Sequence, residues 1–430
     1  MYRLSSLRNH PATWLLIPAL LLVLLYSLTE ARISDVQGYW VGAVSSATVY
    51  AVFSCCLGAL AAAIDGSQLS RARTFELGAT RSAIAISLDR LWPTLTMSLI
   101  IQLFGFLLGS VGSWGSPGRF PWEVVIAWLS MIIFHICLGF LIGLVLPAVA
   151  SAPLALIASF VWLGFTWSVD YVPLRYLSGL AISGCCVVFA ELPLEAATSL
   201  IAFNSLAVIA ALSVLHGLNR QRTKRPAMYI AAPIALVVAG TVLGLNIASP
   251  LGSYPSPPRS KAELVCESQQ GTDICFYPEQ IWGPSPTPTE IVSDSLRNLR
   301  SANIAVPSRV SGSLQDTAND SIAMVYRRDF TKQDVIHSFS SEFGYMRPGL
   351  TCDRDRLDPE NLDVQSSVIG AMIYYYASGG QSDPFVDEEV VRPLVDSLVA
   401  GTAESQENWL TDARLALESC ETDFPPLPAP

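Results

Sequence analysis

Charge is scarce in this chain of 430 residues. Asp, Glu, Lys and Arg make up 14% of it, against 51% hydrophobic residues, where a soluble domain carries roughly 25% charged residues. That shortage excludes an ordinary water-soluble globule as the whole answer. Histidine is rarer still, at four. The chain has no HExxH, no Gly-x-Ser-x-Gly, no GxxxxGK[ST] and no metal-ligand spacing. These absences remove the common hydrolase signatures and the loop that would cradle a nucleotide phosphate. No cofactor is expected, and the chain is not expected to be an enzyme.

The charge present is unevenly divided. Residues 1–250 carry 13 basic against 9 acidic side chains, and residues 251–430 carry 13 against 27. An apolar, basic-leaning half followed by an acidic polar half reads as a membrane domain joined to a water-soluble one. The acidity argues against nucleic acid as a partner, because phosphate binding needs a basic face.

Seven stretches are apolar over about the 20 residues that a bilayer core requires in helical form: 12–29, 40–64, 92–112, 123–148, 153–170, 194–217 and 227–248. The first, "ATWLLIPALLLVLLYSL", follows Arg3 and Arg8 and so has the basic start of a secretory signal. No convincing small-x-small cleavage site follows it, and it counts as a span. A further apolar stretch, "YLSGLAISGCCVVFA", is only 15 residues long. As a helix it would reach about 22 Å, and Gly179 and Gly184 interrupt it. It is expected to form a re-entrant or interfacial hairpin. His135 and His216 are the ionisable side chains within or near the spans, apart from boundary residues. That scarcity argues against ion-coupled transport, which relies on buried Asp, Glu or Arg.

Basic residues set the sidedness. With the N-terminus inside, Arg3, Arg8, Arg71, Arg73, Arg81, Arg90, Arg220, Arg222, Lys224 and Arg225 lie on the cytoplasmic side. Only Arg32, Arg119 and Arg175 then lie outside. Seven crossings carry the C-terminus outside. The expected architecture is mainly α. A polytopic helical domain over 1–248 sits in the plasma membrane, followed by a Pro/Ser-rich linker over 249–262. A small disulfide-stapled α+β extracytoplasmic domain then covers 263–424, with a tail over 425–430.

On that side of the membrane disulfides persist. Cys266 and Cys275 lie in "AELVC" and "DICFYP", two apolar-alternating stretches joined across "ESQQGT", which predict a stapled hairpin. Cys352 and Cys420 are the remaining pair. Four cysteines allow three connectivities, and the local one is preferred: Cys266–Cys275 with Cys352–Cys420. Cys55, Cys56, Cys137, Cys185 and Cys186 are expected as small buried hydrophobes; the vicinal pair Cys185–Cys186 is the one of these that an outer location could expose.

The remainder of the outer domain predicts helices over "TPTEIVSDSLRNLRSANI", "TKQDVIHSFSSEF", "DPENLDVQSSVIGAMIYYYAS", "PFVDEEVVRPLVDSLVAG" and "ESQENWLTDARLALES", and a strand over "SIAMVY". The run "CDRDRLDPENLD" lacks the glycine and terminal glutamate of a calcium loop and reads as a solvated acidic helix start. His337, the lone histidine of this half, reads as a surface or satisfied residue. A hydrolase here lacks a visible nucleophile–base set.

The segment "RARTFELGATRS", 71–82, places a basic cluster between the second and third spans. With the interrupted hairpin before the sixth span, it resembles the loop of a type 2 ABC exporter permease. The chain is similar in particular to actinobacterial permease-like proteins that carry an extra span and a C-terminal outer domain. The matching positions are Leu174–Cys186; Cys266, Gly271, Ile274–Cys275 and Phe276–Glu279; and Trp409 with Cys420. Gln280 stands where those relatives often have His. The resemblance implies an exporter subunit coupled to a separately encoded cytoplasmic ATPase, which binds the ATP. It also implies pairing of permease subunits as a homodimer or heterodimer. Arg71, Arg73, Glu76 and Arg81 would belong to the coupling surface. From the residues alone, these four need only fix topology, as Arg220, Arg222, Lys224 and Arg225 do. The competing expectation is a non-transporting sensor or envelope protein whose outer domain binds a ligand or partner.

Overall fold

The computed structural model describes residues 10–29, 38–72, 74, 82–218, 226–253, 256–283, 285–315, 321–345, 359–419 and 425. The chain divides into two compact units, Met1–Pro257 and Pro258–Pro430. The division falls inside the 249–262 stretch.

The first unit is helical: α1 (Pro11–Thr29), α2 (Trp40–Ser46), α3 (Ala51–Arg71), α4 (Ala83–Ser110), α5 (Trp122–Val145), α6 (Ala148–Gly164), α7 (Val172–Ser178), α8 (Leu194–Leu218) and α9 (Pro226–Ala248). Among the described residues, seven helical stretches are long and apolar enough to cross a membrane, with α2 and α3 joined by a 3-10 turn into one of them. They coincide with the seven stretches that hydropathy picks out.

Two spans overrun their expected ends. The second runs on to Arg71 and the third begins at Ala83. The stretch left between the expected spans 40–64 and 92–112 is therefore mostly the ends of two spans. Ser82 sets the new start: its backbone is extended and its hydroxyl accepts the Ala85 N–H at 3.2 Å, the usual N-cap bond. Asp65 is accordingly inside a helix rather than at a boundary, which corrects the expectation that histidines alone are ionisable within the spans.

The 176–190 stretch does not form a spanning helix. It ends α7, turns at Gly179 with φ 89°, and continues as a 3-10 turn over Leu180–Gly184. A side chain at Gly179 would strike Met131 and Leu200, so glycine is required there by both backbone and space. Tyr176, Leu177, Ala181 and Ile182 are fully buried. Cys185 and Cys186 are buried too, so the vicinal pair faces the interior.

In lipid, helices gain little from hydrophobicity against each other and associate where small residues let backbones approach. Gly139 and Gly143, one turn apart on α5, meet Ala59 and Ala63, one turn apart on α3. A Cβ on either glycine would land on the backbone carbonyl of its alanine partner. Gly66 sits as closely against the Phe140 carbonyl. Buried polar groups stitch the helices further. Trp128 donates to Thr48 at 2.8 Å, Ser54 to Gln102 at 3.2 Å, and Asn204 to Ser130 at 3.2 Å; His135 and Ser159 bond at 3.0 Å.

The second unit holds a four-stranded sheet in the order β1 (Val265–Gln269), β2 (Thr272–Phe276), β3 (Arg309–Ser311), β4 (Ser321–Ala323). β1 and β2 form an antiparallel hairpin with Cys266 opposite Cys275, while the other pairs are parallel. Gln270 and Gly271 both have positive φ, as a two-residue hairpin turn with right-handed strand twist demands. The turn is thus tighter than the six residues "ESQQGT" would need. The structure joins Cys266 to Cys275. β1 is the largely exposed edge, and the bond holds it to the buried β2. Replacing both cysteines by serine is expected to lower the stability of this unit by about 2–3 kcal/mol and to fray β1 first, as hydrogen exchange at Val265–Gln269 would show.

Helices α10 (Pro278–Ile281), α11 (Pro288–Ser301), α12 (Lys332–Tyr345), α13 (Pro359–Ser378), α14 (Val391–Val399) and α15 (Ala403–Ser419) complete the unit. α11 opens with a capping box between Thr287 and Glu290. α12 opens with Thr331 and Asp334 bonded reciprocally, at 2.7 and 3.3 Å. The core gathers Phe276, Leu296, Phe339, Ile369 and Tyr374. Arg259, within the expected linker, is instead buried. It bonds Glu279 through both terminal nitrogens at 3.0 Å and lies over the Tyr277 ring. Cys352 and Cys420 lie outside the described residues.

Candidate functional site

Between positions 36 and 75 the sequence has one acidic residue, Asp65. It stands on α3 where an alanine-rich run gives way to "DGSQLSR", and its side chain is 0% exposed. A carboxylate so placed is costly unless charge and hydrogen bonds meet it. Three residues from two neighbouring segments supply them. From α4, Arg90 donates through Nε to Oδ1 at 3.0 Å, and the Thr94 hydroxyl donates to Oδ2 at 3.3 Å. From the residue before α1, His10 places Nε2 3.1 Å from Oδ2.

The spacing explains the assembly. Asp65 and Gln68 are three apart on α3, and Arg90 and Thr94 are four apart on α4, so each pair shares a helix face. Arg90 reaches both members of the first pair, since its Nη2 also bonds Gln68. His10 Nδ1 accepts the Ala12 N–H at 3.3 Å, which leaves the ring proton of the neutral form on Nε2, toward Asp65. That contact is within ion-pair distance but is not aligned as a hydrogen bond, so Arg90 is the dominant partner. Beside the carboxylate, the close approach of Gly66 to Phe140 leaves no room for a side chain.

The cluster can do one thing well: it ties the start of α1, the end of α3 and the start of α4 at a single point. The basic segment 71–82 leaves from one member of that tie and returns to another. Arg71 is its exposed first residue. Arg73, Glu76 and Arg81 lie outside the described residues, as do Arg220, Arg222, Lys224 and Arg225. Sequence reading counted Arg90 only as a topology charge and passed over Asp65 and His10. The signal was present in a solitary acid ending an alanine run, but its partners stand 25 and 55 positions away. His216 is exposed near the end of α8, and His135 is buried against Ser159. Neither joins the cluster. Among the described residues, no group of three or more His, Cys, Asp or Glu could hold a metal.

No family model, curated protein or solved structure matches this chain.

Proposed function

We propose that the chain is the membrane-spanning subunit of an ABC-type exporter. It works with a separate cytoplasmic ATPase that meets the 71–82 segment, and the second unit lies outside the cell, where it assists substrate handling or gating. The observation that carries this reading is the buried Asp65–Arg90 pair at the root of that segment. A loop that transmits force from an ATPase must be fixed to the spans it moves. A basic segment serving only to set topology needs no such anchor. The excess of basic residues on one set of loops supports an inside N-terminus, and seven crossings then favour an outside C-terminus. Pairing with a second permease subunit belongs to the same proposal.

The test is co-expression with an ABC ATPase encoded beside this chain, followed by affinity purification in mild detergent. The ATPase is expected to co-purify in near-equal amount. Reversing Arg71, Arg73 and Arg81 to glutamate together is expected to cut its recovery about tenfold, the effect of roughly 1.4 kcal/mol of lost contact energy, without changing the chain's own yield. Recovery untouched by the reversal would overturn the proposal. The second reading, a non-transporting membrane protein, draws support from the way interior polar groups are spent on one another: Trp128 on Thr48, Gln102 on Ser54, His135 on Ser159. It requires the chain to purify as a stable species with no ATPase attached.

A further inference from the structure

His337 is the one histidine of the second unit, and both of its ring nitrogens are engaged. Nδ1 lies 2.8 Å from Asp383 Oδ2, and Nε2 lies 3.4 Å from the Ser341 hydroxyl. Ser341 and His337 are one turn apart on α12, which brings their side chains together on one face. Asp383 comes from the segment after α13, 46 positions away. Its carboxylate is 2% exposed and is fixed independently of the histidine: Oδ1 accepts the Phe385 N–H at 3.0 Å, and the Asp383 carbonyl accepts from Arg392 at 3.2 Å.

The wiring has a consequence for the proton. A buried carboxylate with one oxygen already occupied accepts from Nδ1–H, so neutral His337 presents the bare Nε2 lone pair to the serine. That is the order required of a hydroxyl nucleophile, a base and an orienting acid. The imidazole remains 34% exposed, so the arrangement is reachable from solvent, unlike a histidine satisfied in a core. Phe385 lies against the ring at 4.8 Å and is itself half exposed, offering an apolar face beside the reacting atoms.

We propose that Ser341, His337 and Asp383 form a nucleophilic site that cleaves acyl esters with an apolar acyl group. Ser341 Oγ bonds to the acyl carbon while its proton passes to His337 Nε2. The bond from that carbon to the alcohol oxygen breaks, and the alcohol leaves with the proton. Water, giving its proton to the same nitrogen, then attacks the acyl-serine. The carboxylic acid departs and Ser341 regains its proton. Asp383 is a positioning residue throughout. The site lies wholly within the second unit and does not depend on the exporter reading.

The experiment is labelling of the full-length chain in detergent by a fluorophosphonate with an alkyl arm, with the adduct located by mass spectrometry of the α12 peptide. Hydrolysis of p-nitrophenyl butyrate is followed in parallel. The adduct is expected on Ser341 and absent from Ser341→Ala, a change too small to disturb the fold. His337→Gln is expected to slow labelling about 100-fold or more, the scale of a lost general base. Asp383→Asn should lower the maximal labelling rate while leaving the half-saturating probe concentration unchanged, a split that mere loosening of the fold would not give. No adduct on the intact chain, or equal labelling of Ser341→Ala, would overturn the proposal.

Discussion

Introducing leucine at Gly139 and Gly143 together is expected to abolish recovery of a folded membrane domain. These glycines let the α5 backbone rest on the α3 carbonyls of Ala59 and Ala63, and even a methyl group at either position overlaps backbone. Backbone cannot rotate away as a flexible side chain can, so the helices must separate along the whole seam. The seam is shared: Gly66 makes the same kind of approach to Phe140 one turn beyond, beside Asp65. Single alanine substitutions should cost about 2–3 kcal/mol each, at the upper end of overpacking penalties. Because the two positions lie on one seam, their effects should not add. Gly164, with nothing within reach of an added Cβ, is the control and should tolerate alanine with little change. Monodisperse yield in detergent and the midpoint of thermal unfolding would measure all three.

The second large effect is asymmetric. Arg90→Ala is expected to cost about 3–5 kcal/mol, the usual result of leaving one member of a buried pair alone. Asp65→Asn is expected to cost clearly less. The reason lies in where each group can go. The Asp65 carboxylate is 0% exposed, while the Arg90 side chain is 30% exposed. Without its partner the guanidinium can turn to water, and the amide of asparagine still accepts from Thr94. The carboxylate has no comparable escape. Combining Asp65→Asn with Arg90→Ala should therefore be less harmful than Arg90→Ala alone. A double-mutant cycle read by thermal unfolding checks this, and equal costs for the two single changes would mean that the pair is not buried as described.

How far the sequence revealed this molecule depended on the range of the interaction involved. The spans are local facts: each is an apolar run that needs only its own length to be recognised. The β1–β2 hairpin is nearly as local, since alternation and the Cys266, Cys275 spacing mark it. The same holds for α11 and α12, whose caps join residues three apart. β3 escaped because three residues, "RVS", carry no periodicity and become a strand only between β2 and β4. The ends of the second and third spans were misplaced for a related reason. Polar residues such as Asp65, Gln68 and Arg90 signalled a loop, although each is satisfied by a neighbouring helix. The Asp65 cluster and the Ser341–His337–Asp383 arrangement were illegible for the same cause. Each needs a partner supplied by tertiary packing, from a distance at which one sequence gives no register.

The claim on which the account rests is that the 71–82 segment and the second unit lie on opposite sides of the membrane. Thr74→Cys and Glu404→Cys, expressed separately, can be exposed to a membrane-impermeant maleimide in intact cells and again after permeabilisation, with the unsubstituted chain as blank. The account predicts full labelling at position 404 in intact cells, and labelling at position 74 only once the membrane is opened. Labelling of both positions from the same side would mean an even number of crossings between them, and both the topology and the exporter proposal would fail.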